Sequence, residues 1–81
     1  MYSIEFTQTA KKQFDKLPEE IQFRLIRVFE RIKFRPFHFI KRKEGSPYFI
    51  MRMGDYRAIL DVKTENSIIY VIEAGHRKNN Y

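Results

Sequence analysis

Two short stretches hold the side chains with chemistry of their own. The segment MRMGDYRA, Met51 to Ala58, sets Arg52 and Arg57 symmetrically about Gly54-Asp55, a pair that makes two-residue hairpin turns. With that turn, Met53 faces Tyr56, Arg52 faces Arg57 and Met51 faces Ala58 across neighbouring strands. Two like charges directly opposed on one sheet face repel by up to about 1 kcal/mol. Either the arginines splay into water, or an anion bound between them reverses the sign of that cost. The second stretch is GHRKNNY, Gly75 to Tyr81, where His76, Arg77 and Lys78 follow the apolar run SIIYVIEA. It is either a solvated, fraying tail or the rim of an active site. In the second case Gly75 lets the chain turn out of its last strand, Arg77 reaches a bound anion and Tyr81 closes the cleft.

The elements that must position these groups follow from periodicity. Tyr2, Ile4 and Phe6 alternate with Ser3 and Glu5, the period of a half-buried strand. Ala10, Phe14 and Leu17 then recur at helical spacing, with Thr7 or Thr9 available as N-cap. Leu17-Pro18 breaks that helix, and Pro18-Glu19-Glu20 opens a second one. Its core stripe is Ile21, Leu25, Val28, Phe29 and Ile32, and Arg35-Pro36 ends it. Phe23, Ile26, Phe34 and Phe37 fall off the stripe and form a second apolar surface, against the first helix or against a partner. A basic connection from Lys41 to Pro47 leads to three strand-like runs, Tyr48 to Met53, Tyr56 to Val62 and Ser67 to Ala74. The expectation is an α+β fold: an N-terminal strand, a two-helix hairpin and a three-stranded antiparallel meander, the helices packed on one face of an antiparallel sheet. Phe49, Met51, Met53, Tyr56, Ala58, Leu60 and Val62 would face the helices, and Tyr48, Ile50, Arg52, Arg57, Ile59 and Asp61 the opposite side.

Length and composition set the outer bounds. The 81 residues are expected to form one domain over residues 1–81. Sixteen Lys and Arg against ten Asp and Glu give a net charge of +6, which favours polyanionic partners: nucleic acid, an acidic protein or an anionic membrane surface. The absence of cysteine excludes disulfides and thiolate metal sites, and His38 and His76 lie far apart, so neither metal nor cofactor is expected. No apolar signal core opens the chain and no 18 apolar residues run together, which predicts a soluble, cytoplasmic protein without a membrane span.

MRMGDYRAILDV followed by VIEAGHRKNNY resembles the RelE/ParE toxin superfamily, whose members show R-x-G-D-Y-R on a central hairpin and G-H-R-K near the C-terminus. FTQTAKKQFDKLPEEI, Phe6 to Ile21, is similar to the superfamily's opening pattern, so the resemblance covers almost the whole chain. In the RelE-like branch it implies the toxin of a toxin-antitoxin pair. Such a toxin would be a metal-independent, ribosome-dependent endoribonuclease that cleaves messenger RNA in the ribosomal A site, inhibits translation and is restrained by a cognate RelB-type antitoxin. ParE-like members share the fold and poison DNA gyrase, and a non-enzymatic nucleic-acid-binding member of the same fold is a further alternative. Metal-free scission needs a group to take the 2′-hydroxyl proton, cations on the pentavalent phosphate and a proton for the leaving 5′ oxygen. The resemblance assigns Arg57 and Arg77 to the phosphate, with Arg52 beside them. Tyr81 matches the C-terminal aromatic, as stacking platform or general base; His76 is the competing base, or else a structural residue capping the strand. Lys41, Arg42, Lys43 and Lys78 are expected to contact RNA, or else to be solvated. RelE-like enzymes carry basic residues at two alternate positions occupied here by Ile50 and Arg52. Neither is a proton donor near neutral pH, so the resemblance leaves protonation of the leaving group unassigned.

Overall fold

The computed structural model of the protein describes the backbone of residues 1–80 and the side chains of residues 1–78. The chain opens with β1 (Ser3–Phe6) and α1 (Gln8–Asp15). Thr7 caps α1: its Oγ1 accepts from the Ala10 N–H at 3.1 Å, satisfying one of the four donors that a helix start leaves open. Pro18 separates α1 from α2 (Glu19–Ile32), where Leu25, Phe29 and Ile32 are buried and Ile21 and Val28 half-buried, the stripe that the spacing predicts.

Pro36 does not simply stop the chain. It opens α3 (Pro36–Phe39) at the first helical position, where its missing N–H costs nothing. Next comes β2 (Ile40–Arg42), paired antiparallel with β3 (Phe49–Met53) in the register Ile40↔Met51, Lys41↔Ile50, Arg42↔Phe49. Lys41 and Arg42 are thus strand residues rather than part of a basic loop. Their charges suit a strand at a sheet edge, where they discourage pairing with other chains. Gly54-Asp55 is the predicted turn into β4 (Tyr56–Lys63), with Met53↔Tyr56, Arg52↔Arg57 and Met51↔Ala58 in register. Gly54 has φ 58° and Asp55 does not have a positive φ, the pattern of a type II′ turn.

The last strand, β5 (Ile68–His76), runs two residues past the expected end and leads into α4 (Arg77–Asn80). Gly75 is therefore a strand residue paired with Arg57, and the chain turns at Arg77 instead. β5 pairs antiparallel with β4 and parallel with β1, giving the order β1-β5-β4-β3-β2. The sheet has five strands and is mixed, not a purely antiparallel meander beside an N-terminal strand. The helices cover one face. Leu25, Ile32, Met51, Leu60, Ile69 and Val71 are fully buried between the layers, each contributing roughly 1.5–3 kcal/mol of hydrophobic stabilisation. Phe6 meets Phe14 and Phe29 edge-on at 5.3 and 5.6 Å.

One irregularity decides what the open face displays. The β4–β5 register shifts between Ile59, opposite Glu73, and Leu60, opposite Val71, so Ile72 is an extra residue on β5. Side chains alternate with period two, and a single inserted residue exchanges the faces of everything beyond it. Ile69 and Val71 face the core before the bulge, and Ala74 does so after it. Glu73 and Gly75 are thereby moved to the open face, in rows with Ile59 and Arg57. Helix α1 and its N-cap residue secure the bulge. Thr7 Oγ1 donates to the Ile72 carbonyl at 3.3 Å, and Gln13 Oε1 accepts from the Ala74 N–H at 2.9 Å.

Candidate functional site

The open face of the sheet carries two rows of side chains at its hairpin end. Arg52 on β3 lies directly across from Arg57 on β4, which lies across from Gly75 on β5. One pleat away, Lys41, Ile50, Ile59 and Glu73 follow one another across β2, β3, β4 and β5. Arg52 is exposed, Arg57 half-buried and Ile59 buried, so a charged row stands beside an apolar one.

Arg77 joins this row through the hairpin turn. Its backbone N–H donates to the Asp55 carbonyl at 2.9 Å, and its Nε stands 3.9 Å from Asp55 Oδ1. The backbone bond fixes where α4 starts, whereas the long contact between two exposed side chains leaves the guanidinium little restrained. Arg52, Arg57 and Arg77 are therefore gathered at one end of the sheet by the tight turn, the β3–β4 register and the N–H of Arg77. A trigonal-bipyramidal phosphate spreads its charge over equatorial oxygens, and planar guanidinium forks on several sides suit that distribution.

His76 takes a different position. The bulge parity sets it opposite Tyr56, on the side away from Arg57, where the two rings meet edge-on at 5.3 Å. Its Nδ1 accepts from the Lys78 N–H at 3.1 Å, so the imidazole holds the first turn of α4. Lys78 is exposed on that turn. Tyr81 lies outside the described residues. Among the described residues no three His, Asp or Glu side chains come together in a metal-binding cluster.

Lys41, Arg42 and Lys43 stand next to the arginine row. With Phe39, Glu44, Ile50 and Arg52 they line an open groove of about 420 Å³ along the β2–β3 edge. The Arg42 guanidinium lies 5.6 Å from the centre of the Phe49 ring, a cation–π contact on the strand beside it. Three groove or face residues have no place in the sequence-based set: Phe39, Glu44 and Glu73. Phe39 and Glu44 depend on a three-residue edge strand too short to show alternation. Glu73 depends on the bulge. It is half-buried, and among the described residues no hydrogen bond or ion pair engages its carboxylate.

On the helical side, Phe23, Ile26, Phe34 and Phe37 are 59%, 44%, 70% and 53% exposed. Phe37 packs edge-on against Phe49 at 5.5 Å. The off-stripe residues are thus not consumed by packing within the helical hairpin, the first of the two alternatives that the spacing leaves.

Comparison with known proteins fits this geometry. Residues 4–81 match the family described as the ParE toxin of type II toxin-antitoxin systems, parDE. Toxin RelG of Mycobacterium tuberculosis is 28% identical over 83 residues, covering 99% of this chain and 95% of its own. Among solved structures, the RelBE2 toxin-antitoxin complex of the same organism superposes with a TM-score of 0.84 at 28% identity, over 94% of this chain and 98% of that one. The intact RelBE toxin-antitoxin complex of E. coli shares the fold, with a TM-score of 0.83 at 21% identity over 94% and 96% of the two chains. With the family match running over residues 4–81 and the fold shared with the RelBE2 complex, the chain belongs to the ParE toxin family of type II toxin-antitoxin systems, within the RelE/ParE superfamily.

Proposed function

We propose that this toxin is a ribosome-dependent, metal-independent endoribonuclease that cuts messenger RNA in the ribosomal A site and so inhibits translation. The gathering of Arg52, Arg57 and Arg77 at the hairpin end carries this reading. The 2′-hydroxyl attacks the adjacent phosphorus, the P–O5′ bond breaks, and a 2′,3′-cyclic phosphate and a 5′-hydroxyl result. Arg57 and Arg77 stabilise the charge that develops on the phosphoryl oxygens, and Arg52 stands beside them at the scissile phosphate. Tyr81, ionised to the phenolate under the influence of the cationic site, accepts the 2′-hydroxyl proton. His76, turned toward Tyr56, orients the turn that leads to Tyr81 and is the secondary candidate for the base. The leaving oxygen takes its proton from water, since Ile50 and Arg52 supply none.

The ribosome completes what an 81-residue protein lacks. Holding the RNA in an attack-competent geometry is worth several kcal/mol, and Lys41, Arg42, Lys43 and Lys78 dock on ribosomal RNA or message through phosphates. A cognate RelB-type antitoxin restrains the toxin by covering Phe23 and Phe34 and by lowering the field around Arg57 and Arg77. The relatives solved as toxin-antitoxin complexes support this partner. Work on ribosomes is cytoplasmic, and among the described residues no helix is long and apolar enough to cross a membrane.

The test is a translating system of purified ribosomes and a reporter message, with 5′ ends mapped. New ends inside codons, absent when ribosomes are omitted, are the expected result. A gyrase-directed toxin is the second reading, favoured by the ParE description of the matching family and by Ile50 at a position where RelE-like ribonucleases carry a basic residue. Trapped gyrase-DNA cleavage complexes alongside intact message would select it.

A further inference from the structure

The groove beside the arginine row differs from a simple basic patch in its floor. Phe39 keeps 38% of its surface exposed, and Ile50, paired with Lys41 on one side and Ile59 on the other, is half-buried at the centre of the open face. Phe39 and Lys41 flank the buried Ile40, and both line the groove. Around these two apolar surfaces stand Lys41, Lys43 and Arg52, with Glu44 as the one carboxylate among the lining residues. Phosphate alone is held by cations and needs no apolar floor. An exposed ring and an aliphatic surface, ringed by cations, is instead what single-stranded nucleic acid uses, its bases stacking while its backbone is neutralised. The volume, about 420 Å³, lies in the range of small-ligand sites.

We propose that this groove is a nucleotide subsite for single-stranded RNA, the base stacking on Phe39 over Ile50 and the phosphate held by Lys41 and Arg52. The subsite rests on the RNA-directed reading of the toxin and extends it toward the β2 edge. Arg52 belongs to both sites: it lines the groove and lies directly across from Arg57. Strand β2 stands two interstrand steps of about 4.8 Å from β4, so a chain whose scissile phosphate lies at Arg57 brings a neighbouring nucleotide to Phe39. Ile50 then has a function of its own. A lysine there would set a strongly hydrated ammonium where the base must be dry, whereas isoleucine supplies a surface to stack against.

The probe is a fluorescent pentanucleotide of 2′-O-methyl RNA, which lacks the nucleophile and is not cut, titrated into the full-length protein. Ring protons of Phe39 and methyls of Ile50 are followed by NMR, and affinity by anisotropy. Both sets of signals shift, and Phe39→Ala weakens binding by about 5- to 150-fold, the range of one stacked base. Phe39→Trp retains binding, and an unchanged melting temperature for both variants shows that the fold is intact. Unperturbed affinity in Phe39→Ala, with a large loss in Lys41→Ala, would overturn the subsite and leave a phosphate patch. Shifts at Phe39 and Ile50 on adding an acidic peptide, with no response to the oligonucleotide, would overturn it in favour of a protein-docking surface. Ribosome-dependent cleavage by the same proteins separates the two levels. Cleavage that is normal in Phe39→Ala, with a silent groove, sinks the subsite alone. Oligonucleotide binding at Phe39 without any cut message leaves the subsite standing and sinks the nuclease reading.

Discussion

Gln13 is a helix residue whose removal should be felt on the far side of the sheet. Its Oε1 accepts from the Ala74 N–H at 2.9 Å, two residues past the extra Ile72, and Ala74 is only 1% exposed. The parallel pairing of β5 with β1 ends at Val71, so beyond it this amide takes a side-chain acceptor from α1. Gln13→Ala removes the bond and leaves a buried donor unsatisfied, at a cost of about 1–3 kcal/mol. For a domain of this size each kcal/mol lowers the melting temperature by roughly 4–8 °C. Gln13→Glu keeps an acceptor oxygen at the same reach and should recover most of the loss. The site should suffer as well, because Gly75 and Arg77 take their positions from the strand beyond the bulge. Denaturation curves and amide hydrogen exchange at Ala74 are the assays, with cleavage on ribosomes as the functional readout. If Ala74 stays as protected in Gln13→Ala as in the wild type, the helix does not hold the bulge and this reasoning fails.

Four other outcomes follow from the same geometry. Arg77→Ala should lower the rate of message cleavage by about 10²–10³-fold, the scale of a lost transition-state contact, while thermal melting stays within a degree or two because its 3.9 Å contact with Asp55 is exposed. Phe23→Ser and Phe34→Ser, at positions 59% and 70% exposed, should each weaken antitoxin binding about tenfold in calorimetry, for the loss of apolar area that the partner would cover. Leu25→Ala should destabilise the fold by about 2–5 kcal/mol in urea titration, since Leu25 is fully buried under α2. Tyr81→Phe should abolish cleavage with ribosome binding retained; continued cutting would pass the general-base role to His76 and leave Tyr81 as a stacking platform.

Much of the architecture was legible because the chain obeys simple periods. Leu25, Phe29 and Ile32 recur at helical spacing and are buried, and Thr7 stands where a capping hydroxyl is needed. The Arg52–Arg57 opposition followed from the two-residue turn alone, since a hairpin of fixed loop length fixes its own register. Other features lay beyond such reasoning, the edge strand and the parallel pairing among them. β2 is three residues with two cations, and only its pairing with β3 makes it a strand. The parallel contact of β1 with β5 joins residues more than sixty positions apart, Ser3 to Ile68, and no local pattern records it.

The bulge is the more instructive case, because it defeats the rule that makes strands readable. SIIYVIEAGH continued at period two would align Glu73 and Gly75 with Ile69 and Val71, on the core face, and turn His76 outward beside Arg57. A carboxylate would then have to be buried without a partner, which costs several kcal/mol. One extra residue removes that cost, sends Glu73 to the open face and turns His76 toward Tyr56. The sequence does hold a hint. Glu73, Gly75 and His76 form a polar or side-chain-free end to an otherwise apolar strand, a pattern that a single parity cannot accommodate. The imidazole, the side chain best suited by type to move a proton near neutral pH, is the one that the fold carries away from the arginines. Among the described residues the arginine row itself holds only permanent cations, so the proposed reaction assigns its proton transfers to Tyr81 and water, with His76 as the second base.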